Sequence, residues 1–368
     1  MANSLNLQEI DQEQAINLAR FFIKSKQNCA FFGRRGVGKT EIAIQAAKDC
    51  NYKINYVNLS VIERPDLAGY PNLLSDSDIV TFKSPYFLPT LKEGQRPDAV
   101  ILFDEVDKAP SEVTAPLLEL LRSRTINGKP VNVAACLLTG NLFNEGAHSN
   151  MVSSALLDRT AKYVLQFSFD KWMDWCKVNG IHDLILGFLS KESNFACGDI
   201  ESTSYATPSP RGWSMVSDCL YKAKQFNMHD TETIVSIVAG FVGLEAASNF
   251  RLWFQYFKEF EPKILSLIET GEYPKDIDKF SVSELFIFCV TLCYITKQKI
   301  TASKIKLRNL KYIETVCDFY SRFDIEDEVQ LVTIRNSFPV EFITKHRLYE
   351  SQIFLEKSKE LQTEILSK

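Results

Sequence analysis

The sequence lacks the patterns that mark secreted, membrane-spanning and zinc-binding proteins. It has only four histidines, and its nine cysteines include no two pairs with metal-ligand spacing that would complete a zinc site. Cys289 and Cys293 are one helical turn apart, but they lie in the apolar run 285–294 and are interpreted as core residues. Residues 1–5 show no signal-peptide pattern, and we find no apolar stretch of about 18 residues, the length of a membrane span. We expect a cytoplasmic protein with free thiols and no membrane segment.

Strong charge of either sign is also missing. The formal net charge is −4, so the whole chain has no electrostatic attraction to nucleic acid, although a local basic patch stays open. With 368 residues, of which 45% are hydrophobic, the chain is long enough for about two or three domains with sizeable cores. We find no internal repeat and no low-complexity tail.

The most informative stretch is a glycine-rich loop at residues 33–40, which reads G-x-x-x-x-G-K-T. An apolar run, 29–32, precedes it and a helix-forming segment, 41–48, follows it. Such glycines let backbone N–H groups turn towards an anion, and the helix N-terminus adds its positive dipole end. Lys39 is placed to reach the outer phosphates of a nucleotide, and the Thr40 hydroxyl to bind Mg²⁺. The predicted nucleotide-binding residues of this segment are Gly33, Arg34, Gly36, Val37, Gly38, Lys39, Thr40 and Glu41.

An acidic pair ends a later apolar run, 99–103. Asp104 is predicted to hold Mg²⁺, directly or through water, and Glu105 to orient and polarise an attacking water molecule. The alternative is an acidic strand end that only caps the helix beginning at Ser111. The phosphate loop upstream favours the catalytic interpretation.

Strand and helix patterns alternate over the first 170 residues. Strands are predicted at 29–32, 54–59, 99–103, 134–139 and 163–168. Helices are predicted at 8–26, with Asp11 as a possible cap, and at 111–123 and 152–157. Asn127-Gly128 predicts a hairpin turn, and residues 76–78 are a second candidate for a short hairpin. We therefore expect an α/β domain, 1–170, with a five-stranded parallel sheet flanked by helices and ligands at the carboxyl ends of the strands. Helical spacing dominates later, for example over 231–260, which predicts an all-α lid, 171–300, and a C-terminal helical extension, 301–368.

With the strand ends in place, the chain resembles the AAA+ ATPases, and most closely their MoxR branch of bacteria and phages. Residues 102–110 are similar to the Asp-Glu-Ile-Asn-(Arg/Lys)-Ala-Pro segment of that branch, and residues 139–141 hold the place of its sensor-1 asparagine. Residues 155–159 match its Leu-x-x-Arg signature, and residues 207–213 resemble the start of its sensor-2 helix. Residues 65–69 look like the beginning of its helix-2 insert. The resemblance covers roughly residues 10–260. It departs from the family where Val106-Asp107 replaces Ile-Asn and where Thr160 replaces an aromatic residue.

The resemblance implies an AAA+ core followed by a helical lid, ATP and Mg²⁺ as ligands, and roles for three more residues. Asn141 would hydrogen-bond the lytic water or the γ-phosphate, and the alternative is a turn-forming asparagine. Arg159 would reach the γ-phosphate of a neighbouring subunit as an arginine finger, and the alternative is an arginine that compensates a helix end. Arg211 would reach back to the nucleotide from the lid, and the alternative is a surface arginine in a proline-capped helix.

Three functions are open at this point. The favoured one is a MoxR-type ATPase ring, by family default a hexamer, which remodels or activates a protein client or adaptor. In that family the partner is often a von Willebrand factor A protein. The second is a nucleic-acid motor or loader on the same core, which the net charge of −4 disfavours. The third is a nucleotide-dependent assembly switch, which the intact acidic pair disfavours. Tyr70 with segment 66–90, and hairpin 125–132, are predicted substrate- or pore-facing loops, with plain surface loops as the alternative.

Overall fold

The computed structural model describes residues 7–72, 80–142, 152–198, 206–223, 225–228, 230–303, 305–322, 338 and 340–356. The chain divides into two compact units, Met1–Lys171 and Trp172–Lys368. Each unit is described by itself.

The first unit is built on a parallel sheet that has six strands among the described residues, in the order β1-β10-β2-β9-β6-β3. The strands in chain order are β1 (Gln8–Ile10), β2 (Cys29–Gly33), β3 (Lys53–Asn58), β4 (Tyr70–Pro71), β5 (Phe82–Lys83), β6 (Ala99–Asp104), β7 (Thr125–Ile126), β8 (Lys129–Pro130), β9 (Ala135–Gly140) and β10 (Ala161–Leu165). The central strands β2, β6 and β9 are almost continuously apolar and buried, as expected for parallel strands covered by helices on both faces. The predicted α/β fold class is confirmed.

The sixth strand corrects the sequence analysis, which predicts one helix over residues 8–26. Residues 8–10 instead form β1, which pairs in parallel with β10. The helix α1 (Gln12–Ser25) begins only after Asp11, whose carboxylate accepts a hydrogen bond from the Gln14 backbone N–H at 2.8 Å. The Gln14 side chain in turn accepts the Asp11 N–H at 3.1 Å, which completes a capping box. Because a three-residue strand is too short to show alternation, the sequence pattern did not reveal it.

The remaining helices of the first unit cover the sheet or belong to inserted segments. They are α2 (Lys39–Asp49), α3 (Arg64–Ala68), α4 (Ser111–Ser123) and α5 (Ser154–Leu157). Strands β4 and β5 pair as a small antiparallel ladder, and the turn predicted at 76–78 lies outside the described residues. The predicted hairpin turn is confirmed between β7 and β8, where Asn127 and Gly128 both have positive φ. The short helix α3 was not predicted, because its segment is rich in turn-forming residues.

The second unit is helical throughout its described residues. Its helices are α6 (Phe169–Val178), which begins at the unit boundary, α7 (Asp183–Lys191), α8 (Pro210–Ala223), α9 (Thr231–Val242), α10 (Leu244–Thr270), α11 (Val282–Ala302), α12 (Lys306–Arg322) and a last helix, Val340–His346. The continuous helical pattern over 231–260 is divided at Gly243, which has φ +92° and lies so close to a carbonyl that a Cβ would be 2.6 Å from Ala206 O. Helix α6 was not predicted.

One helix differs from the expectation that no segment has the length and apolarity of a membrane span. Helix α11 has 21 residues and contains an 18-residue window of mean hydropathy 1.3. Of that window, 61% is buried, and Phe286, Phe288 and Leu292 belong to the core. A buried core helix of a helical domain meets the same criteria of length and composition.

Candidate nucleotide-binding site

The sheet order places the loop after β2 next to the carboxyl ends of its neighbours β9 and β10, with β6 beyond β9. The loop needs glycine at two positions for different reasons. At Gly33 a Cβ would meet the Leu165 carbonyl oxygen at 2.6 Å, because β10 passes close by. Gly38 has φ +99°, a conformation that side chains with a Cβ rarely adopt, and it precedes the first turn of α2. Val37 packs into the core and anchors the loop at the N-terminus of α2, the position at which helices bind phosphate.

Lys39 lies against this loop rather than in solvent. Its Nζ donates hydrogen bonds to the carbonyl oxygens of Gly33 at 2.5 Å and Arg34 at 2.7 Å, and to Asn141 Oδ1 at 3.3 Å. The side chain is buried, so its charge acts in a poorly solvated place. The structure therefore brings together the predicted lysine, the loop and Asn141. Glu41 is exposed in the first turn of α2.

The carboxylate of Asp104 is the centre of a second group of contacts. Its Oδ2 accepts hydrogen bonds from the Thr40 hydroxyl at 3.2 Å and the Tyr56 hydroxyl at 3.0 Å. Its Oδ1 accepts from the Thr139 hydroxyl and from the Glu105 backbone N–H. Hydroxyl and carboxylate oxygens are hard ligands of the kind that Mg²⁺ takes together with substrate phosphates.

This donor set fits Mg²⁺ rather than a metal bound by the protein alone. Within the described ranges, no group of three or more His, Cys, Asp and Glu side chains is arranged to hold a metal ion. Thr40 and Asp104 are the residues that would hold the ion, and the remaining ligands would be phosphate and water oxygens.

Glu105 has an unusual backbone conformation for a residue with a side chain, with φ 58° and ψ 42°. This left-handed geometry costs on the order of 1 kcal/mol or more, and such strain clusters at functional sites. The carboxylate forms an ion pair with Lys108 at 2.6 Å. The Lys108 hydrogen bond is the main cause of a lowered pKa for Glu105, Ser60 and Arg35 lower it further, and partial burial opposes them. Glu105 is thus an ionised hydrogen-bond acceptor beside Asp104.

Asn141 begins the segment after β9 and is held by the turn that follows Glu105. Its backbone N–H donates to Asp107 Oδ1 at 2.9 Å, and its side-chain Nδ2 donates to Asp107 Oδ2 at 3.2 Å. Asp107 lies in the 3₁₀ turn Val106–Lys108 and is only 2% exposed. A buried carboxylate therefore connects the strand end of β6 to that of β9.

No contact among the described residues of the first unit connects Arg159 to Lys39, Asp104, Glu105 or Asn141. Arg211 belongs to the second unit. Arg159 Nη1 donates to the Ala155 carbonyl oxygen at 2.6 Å, so the guanidinium lies at the end of α5, as in the helix-end alternative. Its buried Nε atom has no hydrogen-bond partner within the described residues. Arg211 is exposed in the first turn of α8 in the second unit. The roles predicted for both arginines stay predictions.

Sequence reasoning missed five residues that contact the site: Tyr56, Ser60, Asp107, Lys108 and Thr139. A signal existed for one of them. Thr139 is at the end of a predicted strand that pairs with β6, and the register Phe103↔Leu138 places the next residues, Asp104 and Thr139, side by side. The others needed the path of the chain between strands, which residue patterns do not specify.

A phosphate loop, a hydroxyl–carboxylate pair and an acidic residue beside them define a P-loop nucleoside triphosphatase site. Residues 28–160 match the family model of the AAA domain, dynein-related subfamily, and are therefore an AAA+ ATPase domain, which uses ATP and Mg²⁺.

Among similar proteins, human mitochondrial disaggregase is 29% identical over 153 residues, which are 37% of this chain and 22% of that protein. The ClpL ATP-binding subunit of the ATP-dependent Clp protease of Staphylococcus aureus is 26% identical over 151 residues, which are 36% of this chain and 21% of that protein. The match thus spans about a fifth of the length of these curated relatives. The Thermotoga maritima RuvB Holliday junction branch migration motor, a solved structure, is 13% identical with a TM-score of 0.34, covering 71% of this chain and 76% of that one.

Proposed function

We propose that this chain is a MoxR-type AAA+ ATPase that uses ATP hydrolysis to remodel or activate a protein partner. The observation that carries the proposal is the meeting of Lys39, the Thr40–Asp104 pair, Glu105 and Asn141 at the carboxyl ends of β2, β6 and β9. The protein-directed part of the proposal is supported by the disaggregase and Clp relatives, whose names describe work on proteins.

The residues divide the chemistry between them. Backbone N–H groups of the loop and the Lys39 ammonium bind the phosphates. Thr40 and Asp104 would hold Mg²⁺, which would neutralise charge on the phosphates. Glu105 is ionised at neutral pH and accepts hydrogen bonds from the attacking water. For this role its carboxylate turns from Lys108 towards the water. Asn141, next to Lys39, completes the polar wall of the site.

Assembly into a ring, by family default a hexamer, is the second element of the proposal. Arg159 then leaves the Ala155 carbonyl and reaches the γ-phosphate held by a neighbouring copy, where a planar cation stabilises the transition state. Arg211 contributes from the second unit of the chain. The polar Nε of Arg159 has no partner among the described residues, which supports a further contact for this side chain. We place this ring in the cytoplasm, with a von Willebrand factor A protein as the proposed client or adaptor.

The inserted segments offer a surface on which a protein client would bind. The β7–β8 hairpin is tied to the earlier insert, because Asn127 Nδ2 donates to Ala68 O at 2.6 Å and Lys129 Nζ donates to Phe82 O at 2.5 Å. The two inserts therefore form one connected surface. It exposes large side chains, of which Tyr86 is 93% exposed and Tyr70 58%. Exposed aromatic residues on tied loops are typical of protein contacts.

The test uses the Glu105→Gln variant, which keeps the size of the side chain but removes its charge. We expect it to bind ATP, to lose hydrolysis by about 100-fold or more, and to shift in solution mass towards about six protomers when ATP and Mg²⁺ are added. Lys39→Ala is the matched control, and we expect it to lose nucleotide binding and the mass shift together. Undiminished turnover in Glu105→Gln would contradict the assigned base. If the ATP-bound ring of Glu105→Gln captures nucleic acid but no protein from the source cell, the result would favour a nucleic-acid motor instead.

A further inference from the structure

The side-chain amide of Asn141 is held between two groups of opposite hydrogen-bonding character. On one side the Asp107 carboxylate accepts from its Nδ2 at 3.2 Å, and on the other the Lys39 ammonium donates to its Oδ1 at 3.3 Å. An ionised carboxylate can only accept hydrogen bonds, and an ammonium group can only donate them. Only one of the two orientations of the amide satisfies both neighbours. In the other, NH₂ would face ammonium and oxygen would face carboxylate.

We propose that Asp107 is a positioning residue that fixes the amide of Asn141 with its oxygen towards Lys39 and its NH₂ group away from the phosphates. This inference rests on the proposed function and deepens it. Asn141 then contributes a hydrogen-bond acceptor to the site, which suits the ammonium of Lys39 and a hydrogen of the lytic water. It does not contribute a donor to a γ-phosphate oxygen. Of the two roles that sequence analysis left open for Asn141, the structure favours the contact with water.

The position of Asp107 explains why it controls the amide so tightly. Its two oxygens accept from the backbone N–H and the side-chain Nδ2 of the same residue, so both ends of Asn141 are held. Asp107 is only 2% exposed, and its Oδ1 lies so close to Gly140 that a Cβ added there would be 3.1 Å away, so the carboxylate is enclosed between the two strand ends. The AAA+ branch that the sequence resembles has asparagine at this place, and an asparagine can present either oxygen or NH₂. The acidic residue of this chain removes that choice.

The inference predicts coupling between two positions, which a double-mutant cycle measures. The four proteins are the wild type, Asp107→Asn, Asn141→Ala and the double variant, all as full-length chains. We expect Asp107→Asn to lower kcat for ATP by about tenfold in the wild-type background, the size of one hydrogen bond to a charged group. In the Asn141→Ala background the same change should have no further effect on kcat, because Asp107 acts only through Asn141.

Two further measurements separate positioning from a structural role. Asp98→Asn is the matched control, because Asp98 also accepts from an asparagine, Asn132, but lies before β6 at the opposite end of the strand from Asp104. We expect wild-type kcat for this variant. The ratio of ATP to ADP affinity should be unchanged in Asn141→Ala, because the proposed amide donates nothing to the γ-phosphate.

Two results of the cycle would overturn the inference: an equal loss of kcat from Asp107→Asn in both backgrounds, or wild-type kcat in Asp107→Asn. A loss of ATP affinity of about tenfold in Asn141→Ala, with ADP affinity unchanged, would overturn it as well. The proposed function fails differently. If the chain binds ATP without hydrolysing it, the proposed function is wrong, and the orientation of the amide is still tested by the ratio of ATP to ADP affinity in Asn141→Ala. If it binds no nucleotide, both proposals are wrong.

Discussion

The ion pair between Glu105 and Lys108 leads to a prediction about how firmly the acidic strand end is held. In the folded protein this pair, at 2.6 Å, lowers the pKa of Glu105 below its ordinary value of 4.5. A carboxyl group whose pKa is lowered on folding stabilises the fold at pH values above its pKa in the unfolded chain. This stabilisation is lost as the pH falls through its pKa in the folded protein. We therefore expect Lys108→Met, which keeps most of the aliphatic chain, to destabilise the first unit at neutral pH and not at strongly acid pH.

The size of the effect follows from the exposure of the two side chains, which is 27% for Lys108 and 31% for Glu105. Exposed ion pairs contribute about 0.2–1 kcal/mol, and a hydrogen bond to a charged group about 1.5–3 kcal/mol. The pair of Lys108 and Glu105 is partly screened by solvent, so its contribution to the free energy of unfolding should lie between these ranges, at about 1 kcal/mol. That is roughly a fivefold change in the equilibrium constant for opening.

Hydrogen exchange measured by mass spectrometry on peptides from residues 99–126 is a suitable assay, because it reports on the first unit within the whole chain. We expect these peptides to exchange about fivefold faster in Lys108→Met at pH 7. Lys108→Arg keeps the cation and should restore most of the protection. Lys53→Met removes an exposed pair with Asp98 and should change nothing measurable. Unchanged exchange in Lys108→Met would show that the pair does not hold this strand end.

Three further predictions concern other parts of the chain. Gly38→Ala should weaken ATP binding about tenfold, measured by titration calorimetry, because φ at this position is +99°. The control is Gly128→Ala, at φ +71° and with equally open surroundings, which should lower the melting temperature without weakening ATP binding. Glu119→Ala should destabilise the β7–β8 hairpin by about 2 kcal/mol, because that carboxylate accepts three hydrogen bonds from it, and exchange of the hairpin amides should accelerate. Lys297→Met should destabilise the second unit by about 2 kcal/mol at neutral pH, because it leaves buried Asp183 unpaired. Because burial raises the pKa of Asp183, the loss of stability in Lys297→Met should become smaller as the pH falls and Asp183 takes up a proton. Tryptophan fluorescence reports the unfolding of the second unit, because all four tryptophans lie beyond residue 171.

The parts of the site that could be predicted from sequence are those that follow strand ends. Each of Lys39, Asp104 and Asn141 comes directly after, or within a short loop of, a buried apolar run, and parallel strands bring such ends together. The partners of these residues could not be predicted in the same way. Tyr56 reaches Asp104 from the middle of a strand, and Lys108 reaches Glu105 around a 3₁₀ turn. These contacts depend on side-chain direction and turn geometry, which leave no periodic signal in a single sequence.

Local competition explains the differences in the fold. The helix predicted over residues 8–26 begins later because Asp11 and Gln14 form a capping box, and the residues before it satisfy their backbone groups on β10. The long helix predicted over 231–260 is divided by one glycine whose backbone conformation and close neighbour exclude a helical residue. In both places the apolar spacing was helical, and a single residue set the boundary: Asp11 where α1 begins and Gly243 where α9 ends.

The short strand β1 also determines where another chain could attach to the sheet. A strand at the edge of a sheet presents unpaired N–H and C=O groups that recruit further strands. Among the described residues, β10 has partner strands on both sides, and the outermost strand at this end, β1, is only three residues long. At the other end β3 is crossed by a loop, because Asn55 Nδ2 donates to Phe87 O at 3.0 Å. A chain shortened to begin at Asp11 would leave the side of β10 that faces β1 without a partner strand, and we expect it to be more prone to aggregate through strand addition than the full-length protein.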